Sequence, residues 1–365
     1  MKSKQEPLVS VVTPVYNGEG YLRECIESVL AQTYDNWDYT IVNNCSTDRT
    51  LEIAQEYAAR NARIRIHNNE TFVRVLANYN IALRQISPVS KYCKVVAADD
   101  WLFPECLEKL VHLAEEHPSV VIVQAYHLAG EKVTGDGLPY PSTVVSGREA
   151  CRIWLLPGSP SIFGAPTNLM YRSDIVRSRH SFYNESNLHA DSEVCLEFLE
   201  HHDYGFVHQV LMFQRVREGS LSAFSENFTT YYYRRIYDLV TYGPKYLSEK
   251  ELEETLREQL KAYYRFLGWQ VFKGRNREFW TLHREKLASL ANPLSNVRLA
   301  AHAFLYLLDV VFNPKRTTEA IARRLHSKFW GSASERKSKF DTQTCLESWG
   351  EGRSRNRTGT RIGRL

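Results

Sequence analysis

The chain has 365 residues, of which 43% are apolar and 24% are charged. This composition is that of an ordinary globular protein, and it excludes a wholly disordered chain, a collagen-like chain and a disulfide-rich miniprotein. The length predicts about two domains. The net charge of +4 resides in residues 331–365, which hold eight basic and four acidic side chains, so the rest of the chain is neutral. A neutral body lacks the clustered basic charge that binds phosphates, and we expect no nucleic-acid partner.

The seven cysteines are scattered without a C-x-x-C pair, which predicts reduced thiols rather than a disulfide framework or a structural zinc site. The first ten residues carry charge but lack the apolar segment of a secretory signal. The longest apolar run, residues 299–312, is too short to span a bilayer. These features predict a cytoplasmic protein.

Apolar, β-branched runs alternate with stretches of helical periodicity over the first third of the chain. The runs predict strands at residues 8–13, 38–42, 64–67, 92–98 and 120–123. The stretches between them predict helices at about residues 22–30, 48–60, 75–86 and 104–114. This alternation indicates βαβ units and a mostly parallel sheet.

The remainder of the chain changes character several times. A turn-rich segment with an embedded helix is predicted at 130–165, a helix at 190–200 and a strand at 205–216. An aromatic-rich helical subdomain is expected at 226–330, and a disordered basic tail at 331–365.

Polar clusters follow three of the predicted strands: Tyr16-Asn17, Asn43-Asn44 and Asp99-Asp100. Ligands of open α/β sheets bind beyond the carboxyl ends of the strands, so these clusters predict a nucleotide site. No P-loop string occurs, and the glycines at 18 and 20 form only part of a dinucleotide fingerprint. The Asp99-Asp100 pair could bind a divalent cation that holds a diphosphate. The same two residues could instead form a solvated turn, or an acidic pair at the N-terminus of the following helix.

Three blocks of sequence closely resemble family 2 glycosyltransferases, in the family's order and spacing. The first, at residues 9–50, contains TPVYN, SVLAQT and NNCSTD; the second, at 95–110, is VVAADDWLFPECLEKL. The third, at 189–222, begins with HADSEVCLEF and closes with RVREGSLS. The resemblance implies the GT-A fold, a Rossmann-like, mostly parallel α/β sheet flanked by helices, with a C-terminal helical subdomain.

The resemblance also implies the domain organisation. A GT-A domain would occupy residues 1–225, with a nucleotide-sugar half at about 1–125 and an acceptor half at about 126–225. The helical subdomain at 226–330 and the tail at 331–365 would follow.

On the donor side, the resemblance places Thr13, Pro14 and Tyr16 against the base and ribose of the nucleotide. It places Asn44 where an acid usually accepts the N3–H of uracil. Arg74 matches a basic residue that contacts the diphosphate.

The resemblance puts Asp99 beside the ribose and diphosphate and Asp100 at the position of the ligand to Mn²⁺ or Mg²⁺. Asp191 matches the catalytic base, and Glu193 is the reserve candidate for that role. Arg217 stands where the family has a histidine, and it can pair with the diphosphate but does not ligate a metal.

The function implied is transfer of a sugar from a nucleotide-sugar, expected to be a UDP-sugar, to an acceptor hydroxyl with inversion at C1. A glycan or a lipid-linked molecule is the expected acceptor, within polysaccharide, lipopolysaccharide or glycoconjugate biosynthesis. Because NNCSTD replaces an acidic motif, a non-catalytic nucleotide-sugar-binding protein stays an alternative, and a nucleotidyltransferase is a further one. The apolar segment 295–313 either packs on the catalytic domain or rests peripherally on the inner face of a membrane.

Overall fold

The computed structural model describes residues 6–158, 162–217, 225 and 227–313. Ten strands run along these residues: β1 Val9–Val15, β2 Trp37–Asn43, β3 Ile64–Asn68, β4 Tyr92–Val95, β5 Trp101–Leu102, β6 Val120–Ala129, β7 Lys132–Thr134, β8 Val144–Ser146, β9 Leu169–Arg172 and β10 Asp203–Gln214. Seven helices accompany them: α1 Leu22–Leu30, α2 Thr50–Arg60, α3 Val75–Arg84, α4 Cys106–Glu116, α5 Gly147–Leu155, α6 Ser173–Arg177 and α7 Ala190–Phe198. Four more follow: α8 Tyr231–Tyr246, α9 Glu249–Val271, α10 Arg277–Ser289 and α11 Asn296–Phe312.

The strands form one sheet in the order β3-β2-β1-β4-β9-β6-β10-β5, with β7 paired to β6 and β8 to β10. Strands β1, β2, β3 and β4 run parallel, as do β6 and β10, whereas β5, β7, β8 and β9 pair antiparallel to their neighbours. The α/β class is confirmed, and six of the ten strands of the sheet, β1, β2, β3, β4, β6 and β10, run in one direction. Because the parallel strands share one direction, their carboxyl ends meet at one edge of the sheet.

Alternating side chains of β1 supply both faces of the sheet. Val9, Val11 and Val15 pack in a core with α1 and α4, whereas Val12 packs in a second core with α3, α5 and α7. All seven residues of β1 are buried. A strand covered on both faces reads as a continuous apolar run, which is why the sequence predicted it well.

The predicted elements match the observed ones to within a few residues, with two informative differences. The strand predicted at 92–98 ends at Val95, because the backbone then turns, with the N–H of Asp100 donating to the carbonyl of Ala97. The strand predicted at 120–123 continues to Ala129 along β10. The short strands β5, β7, β8 and β9 were not predicted, because so few residues cannot display an alternating pattern.

Helices α8, α9 and α10 share the second core with the sheet domain. Phe228, Leu267 and Phe279 belong to the same apolar cluster as Trp154 of α5 and Val12 of β1. The division near residue 225 therefore stays a prediction, and the expected tail at 331–365 lies outside the described residues. Among the described helices, none has the length and apolar character needed to cross a bilayer.

His283 makes the stability of the helical region sensitive to acid. Its Nε2–H donates to the carbonyl of Phe228 at 3.0 Å, and its Nδ1 accepts from the hydroxyl of Tyr263 at 2.5 Å. Burial lowers the pKa of His283 to about 4. Between the unfolded value of about 6.5 and this pKa, only the unfolded chain binds the proton, so stability is complete above about 6.5 and is lost as the pH falls.

We expect His283→Gln to remove about 3 kcal/mol from the difference in unfolding free energy between pH 7 and pH 4. Urea denaturation at both pH values measures this difference. His117→Gln, at an exposed position, is the matched control and should leave the difference unchanged. An equal effect of the two variants would contradict the assignment.

Candidate active site

The loops that follow β1 and β2 are tied together at the carboxyl edge of the sheet. Asn17 adopts a left-handed φ of 48°, and its side-chain oxygen accepts the backbone N–H of Thr47 at 2.9 Å. The N–H of Gly18 donates to the hydroxyl of Thr50 at 2.7 Å. These bonds hold the edge in one conformation at the place where open α/β sheets bind ligands.

Asp100 is a buried carboxylate that joins three segments of the chain. Its Oδ2 accepts the hydroxyl of Thr167 at 2.6 Å, and its Oδ1 accepts the backbone N–H of Arg215 at 2.9 Å. Burial, followed by the negative charge of Asp99, raises the pKa of Asp100 to about 7. A carboxylate in such surroundings is stabilised by a nearby cation.

Asp99 lies beside Asp100 and is paired with an arginine. The Asp99 carboxylate forms an ion pair with Arg217, and its backbone carbonyl accepts the Nε–H of Arg215 at 3.1 Å. Arg215 also forms an ion pair with Glu24 of α1. The last described residues of the β10 segment therefore bring positive charge to the acidic pair. Residues 218–222 of the closing motif lie outside the described residues.

The acidic pair fits a divalent cation that a nucleotide completes. Within residues 6–158, 162–217, 225 and 227–313, no three His, Cys, Asp or Glu side chains are grouped to hold a metal by themselves. Mg²⁺ is commonly held by one or two carboxylates together with phosphate oxygens, rather than by an all-protein cage, and carboxylate oxygens suit Mn²⁺ as well. Asp100, with two hydrogen bonds on a buried carboxylate, has the donor chemistry for this arrangement.

Asn44 is engaged within the protein. Its side-chain oxygen accepts the backbone N–H of Val73 at 3.0 Å and the amide of Asn69 at 2.9 Å. Its NH₂ donates to the carbonyl of Val73 at 2.8 Å. Because both lone pairs of the oxygen are used, the expected contact with the N3–H of uracil has no acceptor in this conformation. Asn44 instead tethers the loop before α3 to the end of β2.

Tyr16 and Phe72 form an exposed aromatic pair at this edge. Their rings meet edge to face with centroids 4.8 Å apart, and about half of each side chain is exposed. Phe72 comes from the loop that Asn44 tethers, and Arg74 is exposed at its end. An aromatic face beside a cation suits a nucleotide base and its phosphates.

Thr13 and Pro14 lie beneath this surface. Both are buried in β1, and the hydroxyl of Thr13 is 2.8 Å from the hydroxyl of Tyr39. Their side chains support the strand end from within, whereas Tyr16 is the exposed member of the predicted trio.

Asp191 lies in the first turn of α7, where one carboxylate oxygen accepts the N–H of Ser192 at 2.8 Å. Burial raises the pKa of Asp191. The pKa of Tyr79, on α3, is raised first by burial and then by the charges of Asp99, Asp100 and Asp191. The charges of Asp99, Asp100 and Asp191 thus all act in the same direction on the pKa of this one hydroxyl.

Glu193, two residues after Asp191, is buried in α7. Its carboxylate accepts hydroxyls of Tyr237 at 2.5 Å and Tyr242 at 3.1 Å, both from α8. It also accepts the amides of Asn187 at 2.9 Å and Asn184 at 3.3 Å. Four donors from two segments make Glu193 a group that holds α7 in place.

Sequence reasoning missed three residues that shape the site: Thr167, Phe72 and Tyr79. None belongs to a motif block, and each reaches the site from a loop or a helix through the fold. Thr167 follows a proline in the turn-rich segment, where no periodicity marks a side chain that bonds to Asp100.

Solved structures share this architecture. Residues 1–349 of TarS from S. aureus, in complex with UDP, superpose with a TM-score of 0.54 and 19% identity, covering 77% of this chain and 79% of that one. The mannosyltransferase PcManGT from Pyrobaculum calidifontis, in complex with GDP-Man and Mn²⁺, gives a TM-score of 0.50 and 15% identity over 90% of this chain and 89% of that one. At these identities the likeness shows the fold.

Sequence comparisons point to one family. The putative glycosyltransferase EpsE of Bacillus subtilis (strain 168) is 33% identical over 153 residues, which are 40% of this chain and 54% of EpsE. The putative teichuronic acid biosynthesis glycosyltransferase TuaG of the same strain is 32% identical over 134 residues, 37% of this chain and 51% of TuaG. The chain thus spans about half the length of these relatives. The model of Glycosyl transferase family 2 matches residues 10–179, and the similarity of this chain to that family lies in this part of the sequence.

Proposed function

We propose that the protein transfers a sugar from a nucleotide-sugar to an acceptor hydroxyl, with inversion at C1. The observation that carries the proposal is the buried carboxylate of Asp100, which Thr167 and the backbone of Arg215 hold beside the Asp99–Arg217 ion pair. One acidic pair with the chemistry to hold a diphosphate, and a separate acid with a raised pKa, are the groups that this reaction needs.

Asp191 acts as the general base. Its second carboxylate oxygen takes the proton of the acceptor hydroxyl while the oxygen attacks C1 of the sugar, and the nucleoside diphosphate leaves from the opposite face. The raised pKa of Asp191 brings its basicity closer to neutral pH, which favours proton transfer. The bond from Ser192 fixes the carboxylate at the beginning of α7.

Asp100 and Asp99 hold the donor end of the site. A divalent cation bound there supplies Lewis-acid neutralisation of the charge that develops on the leaving diphosphate. Arg217 adds a guanidinium beside Asp99, where it can pair with phosphate oxygens. Tyr16 and Phe72 offer the stacking surface for the base.

A UDP-sugar is the proposed donor. Structures with this fold have been solved with UDP, UDP-GlcNAc and GDP-Man, so the fold accepts more than one base. Because the Asn44 side chain is tied to Val73, we propose that stacking on Tyr16 contributes more to base binding than a hydrogen bond donated to Asn44. The acceptor is proposed to be a glycan or a lipid-linked molecule, as part of glycoconjugate biosynthesis in the cytoplasm.

A non-catalytic sugar-nucleotide receptor is the second candidate, since Asn43, Asn44 and Arg217 depart from the family pattern. Release of nucleoside diphosphate, measured with UDP-glucose, UDP-GlcNAc, UDP-galactose and GDP-mannose in the presence of Mn²⁺, separates the two. Turnover supports the transferase, whereas saturable binding without turnover favours the receptor. Release of pyrophosphate from a nucleoside triphosphate would instead indicate a nucleotidyltransferase.

Replacement of the general base, Asp191, tests the proposed mechanism. We expect Asp191→Asn to lower diphosphate release, with water or an added acceptor, by about 10²–10⁴-fold, because the amide cannot take the proton. Donor binding, followed by thermal shift, should stay unchanged. Asp35→Asn, at an exposed position, is the control and should retain full turnover. Full turnover in Asp191→Asn would contradict the assignment.

The metal ligand provides the second prediction. A donor at 100 times its Kd should stabilise the protein by about 2.7 kcal/mol in the presence of Mn²⁺, seen as a rise in the unfolding midpoint. We expect Asp100→Asn, or removal of Mn²⁺ with EDTA, to abolish this rise. An undiminished rise in both cases would show that Asp100 holds no metal-bound donor. The ligand-free midpoint of each variant is the reference.

Glu193 provides the third prediction, as a positioning residue for Asp191. Glu193→Gln loses the charge that binds Tyr237 and Tyr242, so α7 should shift relative to the donor. We expect kcat to fall by about 10- to 100-fold while the midpoint rise with donor and Mn²⁺ is retained. Glu254→Gln, at an exposed position of α9, is the control. An equal loss of donor binding and kcat in Glu193→Gln would indicate a general loss of structure instead.

A further inference from the structure

Helix α11 presents an apolar face that no described residue covers. None of its side chains is buried, and Val297 and Phe312 are about 80% exposed. Helical geometry places charged residues at the border of this face and none within it. The α11 face consists of Val297, Ala300, Ala301, Phe304, Leu305, Leu307, Leu308, Val311 and Phe312.

The opposite side of α11 is packed firmly on α9. A Cβ atom at Gly268 would lie 2.8 Å from the backbone nitrogen of Ala303, so only glycine permits this crossing. The ring of Tyr264 stacks on His302 at 6.1 Å, and its hydroxyl accepts the N–H of Ser295 at 2.9 Å. The α11 face therefore belongs to a helix that is packed in a defined position against α9.

Aromatic side chains of α9 and the turn after it extend this surface. Phe272 is half exposed and its ring lies 5.4 Å from that of Tyr306 on α11. Trp269 is also exposed, with the ammonium of Lys273 at 4.5 Å from its ring. Tryptophan and lysine together at the border of an apolar surface are typical of residues at a membrane–water interface.

Positive charge flanks the α11 face. Lys261 and Arg265, exposed on α9, both act on His302 of α11, where burial and then their charges lower its pKa. Arg298 is exposed at the border of the face. The chain continues with residues 314–365, which contain thirteen basic and five acidic side chains.

We propose that the α11 face docks on the interface of a bilayer that contains anionic lipid, with the helix lying in the membrane plane. The apolar half would enter the boundary between headgroups and acyl chains, and the flanking cations would meet anionic headgroups. With 17 residues, α11 is not among helices long and apolar enough to cross a bilayer, which agrees with docking in the membrane plane.

The charged residues around the α11 face argue against two other partners for it, a second copy of the chain and the segment 314–365. In a symmetric pair of chains, the same face would meet itself, and α11 offers one acidic side chain, Asp309, against Lys261, Arg265 and Arg298 of the other copy. The segment 314–365 carries a net positive charge, so folding it back on the face would also place cations against cations. An anionic surface is the partner that complements both the apolar face and its border.

The test is flotation of the full chain with vesicles of phosphatidylcholine alone and with added phosphatidylglycerol. We expect binding to the anionic vesicles, weakened by salt, and at least about tenfold weaker in Phe304→Ser/Val311→Ser. The matched control is Val89→Ser/Val133→Ser, which removes two exposed apolar side chains that are not part of the α11 face and should bind like the unmodified chain. Turnover of a soluble donor should be equal in all three proteins.

Three outcomes would overturn the proposal. The first is the absence of binding to anionic vesicles, and the second is equal binding by the two double variants. The third is a dimer in light scattering that Phe304→Ser/Val311→Ser converts to a monomer, because a second copy would then cover the face. Loss of vesicle binding with retained turnover leaves the proposed transferase activity intact, so the two proposals fail separately.

Discussion

The site depends on one buried carboxylate, that of Asp100. Its hydrogen bonds come from residues 67 and 115 positions further along the chain, Thr167 and the backbone of Arg215. These contacts bring the turn after β4, the entry to β9 and the end of β10 to one point. Burial raises its pKa, which means that the protein alone does not fully compensate the charge. A cation shared with a diphosphate would complete this arrangement.

A second buried acid organises the other half of the site. Glu193 receives hydroxyl donors from α8 and amide donors from the loop before α7, so its carboxylate joins the C-terminal helices to the helix that carries Asp191. The helical region thus contributes to the position of Asp191 as well as to the core. Helices α8 and α9 also share apolar contacts with the sheet domain.

The apolar surface of α11 has a different physical origin. The acids are positioned by hydrogen bonds deep in the protein, whereas the α11 face stands out because nothing within the described residues covers it. Binding at a bilayer would bring the helical region, and the α7 helix attached to it, close to lipid-bound acceptors. The fold would then connect acceptor location with the position of Asp191.

The sequence by itself determined the α/β class, the parallel strands β1, β2 and β4, most helices and the resemblance to one family, because local periodicity and contiguous motifs are enough to recognise these features. It also singled out Asp99, Asp100 and Asp191. Only the tertiary structure decided how the side chains are used: Thr13 points into the core, Asn44 binds the backbone of Val73, and Phe72 joins Tyr16. The hydrogen bonds and the burial of these side chains depend on residues far apart in the chain. The spacing of residues along one strand or helix does not identify those partners.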